Sequence, residues 1–237
     1  MTLDRRSFFA ASAGLSLLPL AAHAQDDAAE KRLREDWAWL GRYASDNARL
    51  KASGEAVGIV FMGDSITEGW RDKRPGFFAN GRVCRGIGGQ TTPQMLLRMM
   101  ADVVALRPRA VHIMAGTNDI AGNTGPMTRQ QTYDNLTAMT QIAQANGLDV
   151  ILASVPPAAS FPWRPGLETI APIAEINAWI EAFADEAGAI WVDYGPALGD
   201  GKGAIRAGLA NDGVHPEAAG YSEMEKVVDP ILRRMQV

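Results

Sequence analysis

The sequence has one cysteine, Cys84, and three histidines in 237 residues. One cysteine excludes an intramolecular disulfide and a cysteine metal cluster. Cys84 stands in "RVCRGIGG" with no histidine near it in sequence, so it reads as a buried strand residue and not as a thiol nucleophile. Positive charge is also short. There are 23 Lys and Arg against 27 Asp and Glu, for a net charge of -4. That balance excludes the basic footprint of a nucleic-acid binder and a polybasic patch for anionic lipid. No H-E-x-x-H spacing is present, so neither a metal nor another cofactor is expected. What remains is 47% hydrophobic and 21% charged, a globular balance long enough for one substantial domain.

The first 24 residues read as an export address. "DRRSFFAASAGLSLLPLAAHA" carries twin arginines, Arg5 and Arg6, a modest apolar run and the small-x-small site Ala22-His23-Ala24. Twin arginines before such a run point to the bacterial Tat route, hence to a periplasmic or secreted protein. A membrane anchor is the competing reading, but a spanning helix needs roughly 20 apolar residues and this run is shorter. No stable membrane insertion is expected after cleavage.

The remainder, residues 25–237, is expected to form one domain. Leu33, Trp37, Leu40, Tyr43 and Leu50 recur at helical spacing and predict a leading amphipathic helix over about 28–52. Apolar runs then follow at "AVGIVFM", "RVCRGIGG", "RAVHIMAG", "LDVILASV" and "AIWVDYG". Helical patterns near 92–105, 128–146, 170–187 and 216–235 separate or follow them. Strands apolar throughout, alternating with helices, predict an α/β fold whose parallel sheet is covered on both faces. Ligand sites in such sheets lie at the carboxyl ends of the strands.

His23 leaves with the signal. His112 lies within the apolar "AVHIM" and reads as a hydrogen-bonded core residue. His215, in the polar "NDGVHPEAAGY", is the leading candidate base by elimination. Asp212 precedes it by three residues, so its carboxylate can reach the imidazole in a short turn. Equally, Asp212-Gly213 could simply make a turn before a helix that starts near Pro216. Ser65 sits in "GIVFMGDSITEGW", where a buried strand gives way to a helix. It is either a nucleophile held at the sheet edge near a helix N-terminus or only the helix N-cap. "GIGGQTT" and "AGTND" are further glycine turns after strands. A backbone N–H there and the Asn118 side chain could hold an oxyanion.

Together, "GDS" at 63–65, "GIGGQTT" at 86–92, "GTND" at 116–119 and "DGVHP" at 212–216 resemble the SGNH hydrolases, the GDSL lipase/esterase family. The resemblance implies a three-layer α/β/α sandwich, flavodoxin-like, with a five-stranded parallel sheet and metal-free ester hydrolysis. It implies catalytic Ser65, Asp212 and His215, and an oxyanion hole from Ser65, Gly89 and Asn118. Asp64 and Asp119 read as anchors of their turns. Ile66 replaces the leucine of the family's name. Gln90 replaces an acidic residue of many relatives, which leaves the anchoring of that loop open.

The expected substrate is a small-molecule or glycan ester with a short acyl group, acetyl preferred. The loop "SVPPAASFPWRPGLETI" could wall the site, with Phe161 or Trp163 stacking on a sugar or packing the loop. The alternatives are a lysophospholipase or acyl-thioesterase for longer chains, a sugar O-acyltransferase, and a non-catalytic carbohydrate-binding module.

Overall fold

The five apolar runs form β1 (Ile59–Gly63), β2 (Arg82–Gly86), β3 (Ala110–Met114), β4 (Asp149–Ala153) and β5 (Ile190–Val192). They pair in parallel in the order β2-β1-β3-β4-β5. This is the flavodoxin-like order, with its switch point between β1 and β3. The computed structural model describes residues 30–237. The export signal expected over residues 1–24 and the start of the leading helix therefore lie outside the described residues. The chain divides after Trp37 into a short leading unit and the body Ala38–Val237.

The helix expected over about 28–52 is not continuous. Residues 30–35 are helical, Trp39 takes a left-handed conformation (φ 55°), and a 3-10 turn spans Leu40–Arg42. Helix α1 begins afresh at Ala44 and runs to Ser53. A non-glycine residue with positive φ breaks the helical register, and the apolar spacing alone did not reveal that break. Beyond it come α2 (Ser65–Lys73), α3 (Thr92–Arg98), α4 (Thr117–Ala121), α5 (Arg129–Ala145), α6 (Ile170–Ala187), α7 (Gly195–Leu198) and α8 (Ala218–Met235). Right-handed crossovers fix their layers. The step from β1 to β2 runs one way along the sheet, and the steps through β3, β4 and β5 run the other. So α2 lies on one face with α8 packed beside it, while α3, α5 and α6 pack in succession on the other.

β1 and β3 are buried on both faces, as a doubly covered sheet requires. On the α2 face the Trp70 ring stacks on Phe77 at 4.7 Å and on Tyr221 at 5.8 Å, and meets Phe61 edge-on at 5.7 Å. His112, fully buried on β3, pairs its Nε2 with the Tyr194 hydroxyl at 2.9 Å. It is the core histidine that its apolar strand suggested. Burial pushes its pKa down to about 3.

A second buried polar group ties the end of β2 to the helices. α3 runs into a π-turn, Met99–Val103, and Arg98 and Asp102, four residues apart, face each other in the interior. Arg98 Nη1 donates to Asp102 Oδ2 at 2.6 Å, its Nη2 to the Arg85 carbonyl at 3.0 Å and its Nε to Gln90 Oε1 at 2.8 Å. Asn47 of α1 donates to the other Asp102 oxygen at 2.6 Å and accepts from Arg85 Nε at 2.9 Å. Burial pulls the Arg98 pKa down, against the pull of Asp102.

Two stability effects follow. Replacing Arg98 with leucine leaves the Asp102 carboxylate buried without its cation, and breaking such a pair costs about 3–5 kcal/mol. Urea unfolding of Arg98→Leu should show that loss, and a loss under about 1 kcal/mol would contradict it. His112 affects stability through the unfolded state. Free histidine protonates near ~6.5, whereas folded His112 stays neutral down to about 3. Below the unfolded value the unfolded chain takes up a proton that the folded one refuses. Stability should therefore fall between these two pH values, by at most about 1.4 kcal/mol per pH unit. His112→Gln should flatten that slope in unfolding measured from pH 7 to pH 4, and an unchanged slope would refute the assignment.

Candidate active site

Ser65 is the first residue of α2, directly after β1. Two glycines let the helix seat against the strand ends. A Cβ on Gly63 would stand 2.1 Å from Thr67 Oγ1, and one on Gly86 would stand 2.3 Å from the Glu68 amide nitrogen. The register pairs Gly63 with Gly86 and with Met114, so the turns after β1, β2 and β3 open on one edge. The helix cap is Asp64, whose Oδ1 accepts from the Ile66 N–H at 2.9 Å. Ser65 is thus not the N-cap, and its hydroxyl is directed elsewhere. Ile66, the departure from leucine, is buried, and its carbonyl accepts from the Tyr221 hydroxyl at 2.8 Å.

Ser65 Oγ lies 2.8 Å from His215 Nε2. His215 Nδ1 lies 2.6 Å from Asp212 Oδ2. A carboxylate only accepts, so Nδ1 carries the proton there and Nε2 is left to accept from the serine hydroxyl. The other Asp212 oxygen accepts from the Val214 and His215 N–H groups at 2.9 and 2.8 Å. The carboxylate thus closes its own turn and also reaches the ring. Partial burial pushes the Asp212 pKa up, but the bonds from the His215 ring and the two amides outweigh it and hold the carboxyl below its ordinary value.

The turns after β2 and β3 form the facing side. Gly89 takes a left-handed conformation, φ 75°. Asn118, buried, donates from Nδ2 to the Gln90 carbonyl at 3.0 Å and lies 3.3 Å from Asp64 Oδ2. Gln90 answers the anchoring question left by its departure from an acid. Its Nε2 donates to the Ala38 carbonyl at 2.7 Å, and its Oε1 takes the Arg98 bond. Asp64 is buried, and burial raises its pKa to about 6 against the lowering bond from the Ile66 amide. Asp119 accepts from the Thr92 N–H at 3.1 Å, the Thr92 hydroxyl and the Thr132 hydroxyl at 3.3 Å. It clips the starts of α3 and α5 to the turn after β3.

One residue absent from the sequence reading belongs to this cluster. Asn123 donates from Nδ2 to Asn118 Oδ1 at 2.7 Å and lies 3.4 Å from the Gly89 carbonyl. Its only signal was an asparagine following Gly122, the left-handed residue that ends α4. Across the site, Phe161 is buried and packs the loop after β4, while Trp163 stacks on it at 5.1 Å. The Trp163 ring is 5.9 Å from the His215 ring, and its Nε1 donates to Asn123 Oδ1 at 3.1 Å. Among the described residues, no group of three or more His, Cys, Asp or Glu could hold a metal ion.

The arrangement offers a hydroxyl, an imidazole within its reach, an orienting carboxylate and nearby N–H groups, which is the equipment of acyl transfer. Residues 61–222 match the GDSL-like lipase/acylhydrolase family. A GDSL-like lipase from Bacteroides thetaiotaomicron is 42% identical, with a TM-score of 0.78 over 84% of this chain and 99% of that one. A candidate acylhydrolase from Bacteroides fragilis is 40% identical, with a TM-score of 0.81 over 86% of this chain and 100% of that one. An uncharacterized lipoprotein of Bacillus subtilis, YqeF, is 36% identical over 75 residues, 30% of this chain and 31% of that protein. The match therefore spans about a third of the curated relative. With the sheet order, the site geometry and these likenesses in agreement, the chain belongs to the GDSL-like lipase/acylhydrolase family of carboxylic ester hydrolases.

Proposed function

We propose that the protein hydrolyses short-chain carboxylic esters, acetyl esters foremost, through Ser65, His215 and Asp212. The observation that carries this reading is the unbroken chain from Ser65 Oγ to His215 Nε2 and from His215 Nδ1 to Asp212, at 2.8 and 2.6 Å. His215 takes the Ser65 proton as the oxygen attacks the ester carbonyl. Asp212 steadies the imidazolium that forms. The Ser65 and Gly89 amides hold the oxyanion together with Asn118 Nδ2, which shares with it the N–H of its long 3.3 Å bond to Asp64 Oδ2; each such donor is worth about 2.7–4 kcal/mol of barrier. His215 then gives its proton to the leaving alcohol, and the acyl group stays on Ser65. Water, deprotonated by the same ring, releases the acid and restores the hydroxyl.

The rim supports a small polar substrate over a long acyl chain. Glu68, one turn along α2, accepts from the Gly88 N–H at 2.8 Å and from Arg42 at 2.9 Å. Asn123 and the half-open face of Trp163 border the other side. A charged pair, an amide and one aromatic face suit an acylated sugar. Twin arginines near the start of the sequence and a relative named as a lipoprotein favour an extracytoplasmic glycan ester. No helix among the described residues is long and apolar enough to cross a membrane.

The test is hydrolysis of p-nitrophenyl esters from acetate to octanoate by the wild type and by Ser65→Ala. Rates should peak at acetate, and the variant should lose at least about a thousandfold. Equal rates in both proteins would remove Ser65 from the mechanism, and a peak at octanoate would move the substrate to longer acyl chains.

A further inference from the structure

The oxyanion side of the site needs two things that Gly89 and Asn118 do not supply for themselves. The Asn118 amide must keep its nitrogen, not its oxygen, toward the reacting carbonyl. The Gly89 and Asn118 turns, which follow different strands, must also keep a fixed spacing. Asn123 touches both. Its Nδ2 is 2.7 Å from Asn118 Oδ1 and 3.4 Å from the Gly89 carbonyl, and its own backbone N–H donates to the Asn118 carbonyl at 3.1 Å.

An amide is nearly symmetric in shape and has two possible senses. The sense of Asn123 is set by Trp163. An indole N–H donates and never accepts, so the atom 3.1 Å from Trp163 Nε1 must be Asn123 Oδ1. Its Nδ2 then faces two oxygens, both acceptors. Turned over, Asn123 would set its oxygen against Asn118 Oδ1 and the Gly89 carbonyl, and its N–H2 against the indole N–H. Each contact along the line has a donor and an acceptor in one sense only. The line runs on through Asn118 Nδ2 to the Gln90 carbonyl at 3.0 Å and Asp64 Oδ2 at 3.3 Å, two acceptors that favour the same sense. Trp163 is itself held flat on buried Phe161 at 5.1 Å, so the first donor in the line has a fixed place.

We propose that Asn123 and Trp163 are positioning residues of the oxyanion hole: the Trp163 N–H fixes the sense of the Asn123 amide, and Asn123 clamps the Gly89 and Asn118 turns with the Asn118 nitrogen facing the site. The inference rests on the reading that Gly89 and Asn118 carry the oxyanion donors. It also links substrate contact to the hole. The Trp163 ring is 38% exposed and lies 5.9 Å from the His215 ring, so a substrate that presses on this ring presses on the clamp.

The experiment compares Asn123→Asp, Asn123→Ala and Trp163→Phe in the full chain, with p-nitrophenyl acetate kinetics and melting temperature as readouts. Aspartate at 123 keeps size and shape and can accept from the indole, but it sets a carboxylate oxygen against the Asn118 and Gly89 oxygens. A clamp predicts that kcat falls at least about tenfold in Asn123→Asp, as far as in Asn123→Ala or further, with KM within about threefold of the wild type. A spacer role predicts the reverse order, with aspartate tolerated better than alanine. Trp163→Phe keeps a ring but loses the N–H, and its kcat should fall about threefold or more at a similar melting temperature. Wild-type kcat in Asn123→Asp, or a loss carried by KM alone, overturns the proposal. If Asn123→Asp does not fold, an unchanged kcat in Trp163→Phe overturns it instead. Ser65→Ala separates the two levels. Full activity there removes the catalytic reading beneath the clamp, while an inactive Ser65→Ala beside an unaffected Asn123→Asp removes the clamp alone.

Discussion

The Arg98 guanidinium, fully buried beneath the carboxyl end of β2, is the contact on which the Gly89 and Asn118 side of the site depends. It reaches Asp102 on the π-turn, the Arg85 carbonyl on β2 and the Gln90 side chain in the loop beyond. A cation without water is costly unless its donors are matched, and here each bond goes to a different element. Three pieces of chain are therefore held at fixed spacing by one planar group. Gln90 transmits that constraint, because its backbone carbonyl is where Asn118 Nδ2 ends. Through Arg85 and Asn47 the same network extends to α1, which explains why a helix before the sheet bears on a loop after it.

The Ser65 side is built by close approach. Gly63 and Gly86 leave no room for a side chain, so α2 starts directly at the edge where β1 and β2 end. Asp64 then acts twice, capping α2 through one oxygen and facing the Asn118 amide with the other. Because Asp64 caps the helix, Ser65 keeps its hydroxyl for His215. The raised pKa of Asp64, about 6, reflects the burial that this double role requires. Its carboxylate is charged above that value.

Much of this was legible in the sequence because it is written in local chemistry. Apolar runs gave the five strands, and glycine turns after three of them gave the shared edge. The scarcity of histidine isolated His215, and the three-residue step from Asp212 fits a turn that the carboxylate itself closes. Other features depend on contacts between distant segments. The break at Trp39 is a single left-handed residue inside an apolar pattern that fits a helix. The burial of Arg98 could not be read from a residue type that usually lies at the surface. Asn123 and Trp163 are forty residues apart in the chain, and neither lies in a motif. Their meaning comes only from the direction of one hydrogen bond.

The groups of the site differ in exposure: Gly89 on the rim is open to solvent, and Asn118 behind it is buried. His215 and Asp212 are partly open, with side chains 34% and 41% exposed. Asp64, Gln90, Asn118 and Asp119 are buried. A proton carrier must meet the leaving alcohol and the incoming water, so it gains from access. An oxyanion site gains from fixed dipoles in a dry setting, where each N–H acts without reorganising solvent. A buried amide held in one sense by its neighbours meets that need, and a solvated one would have to be turned by the substrate at each turnover.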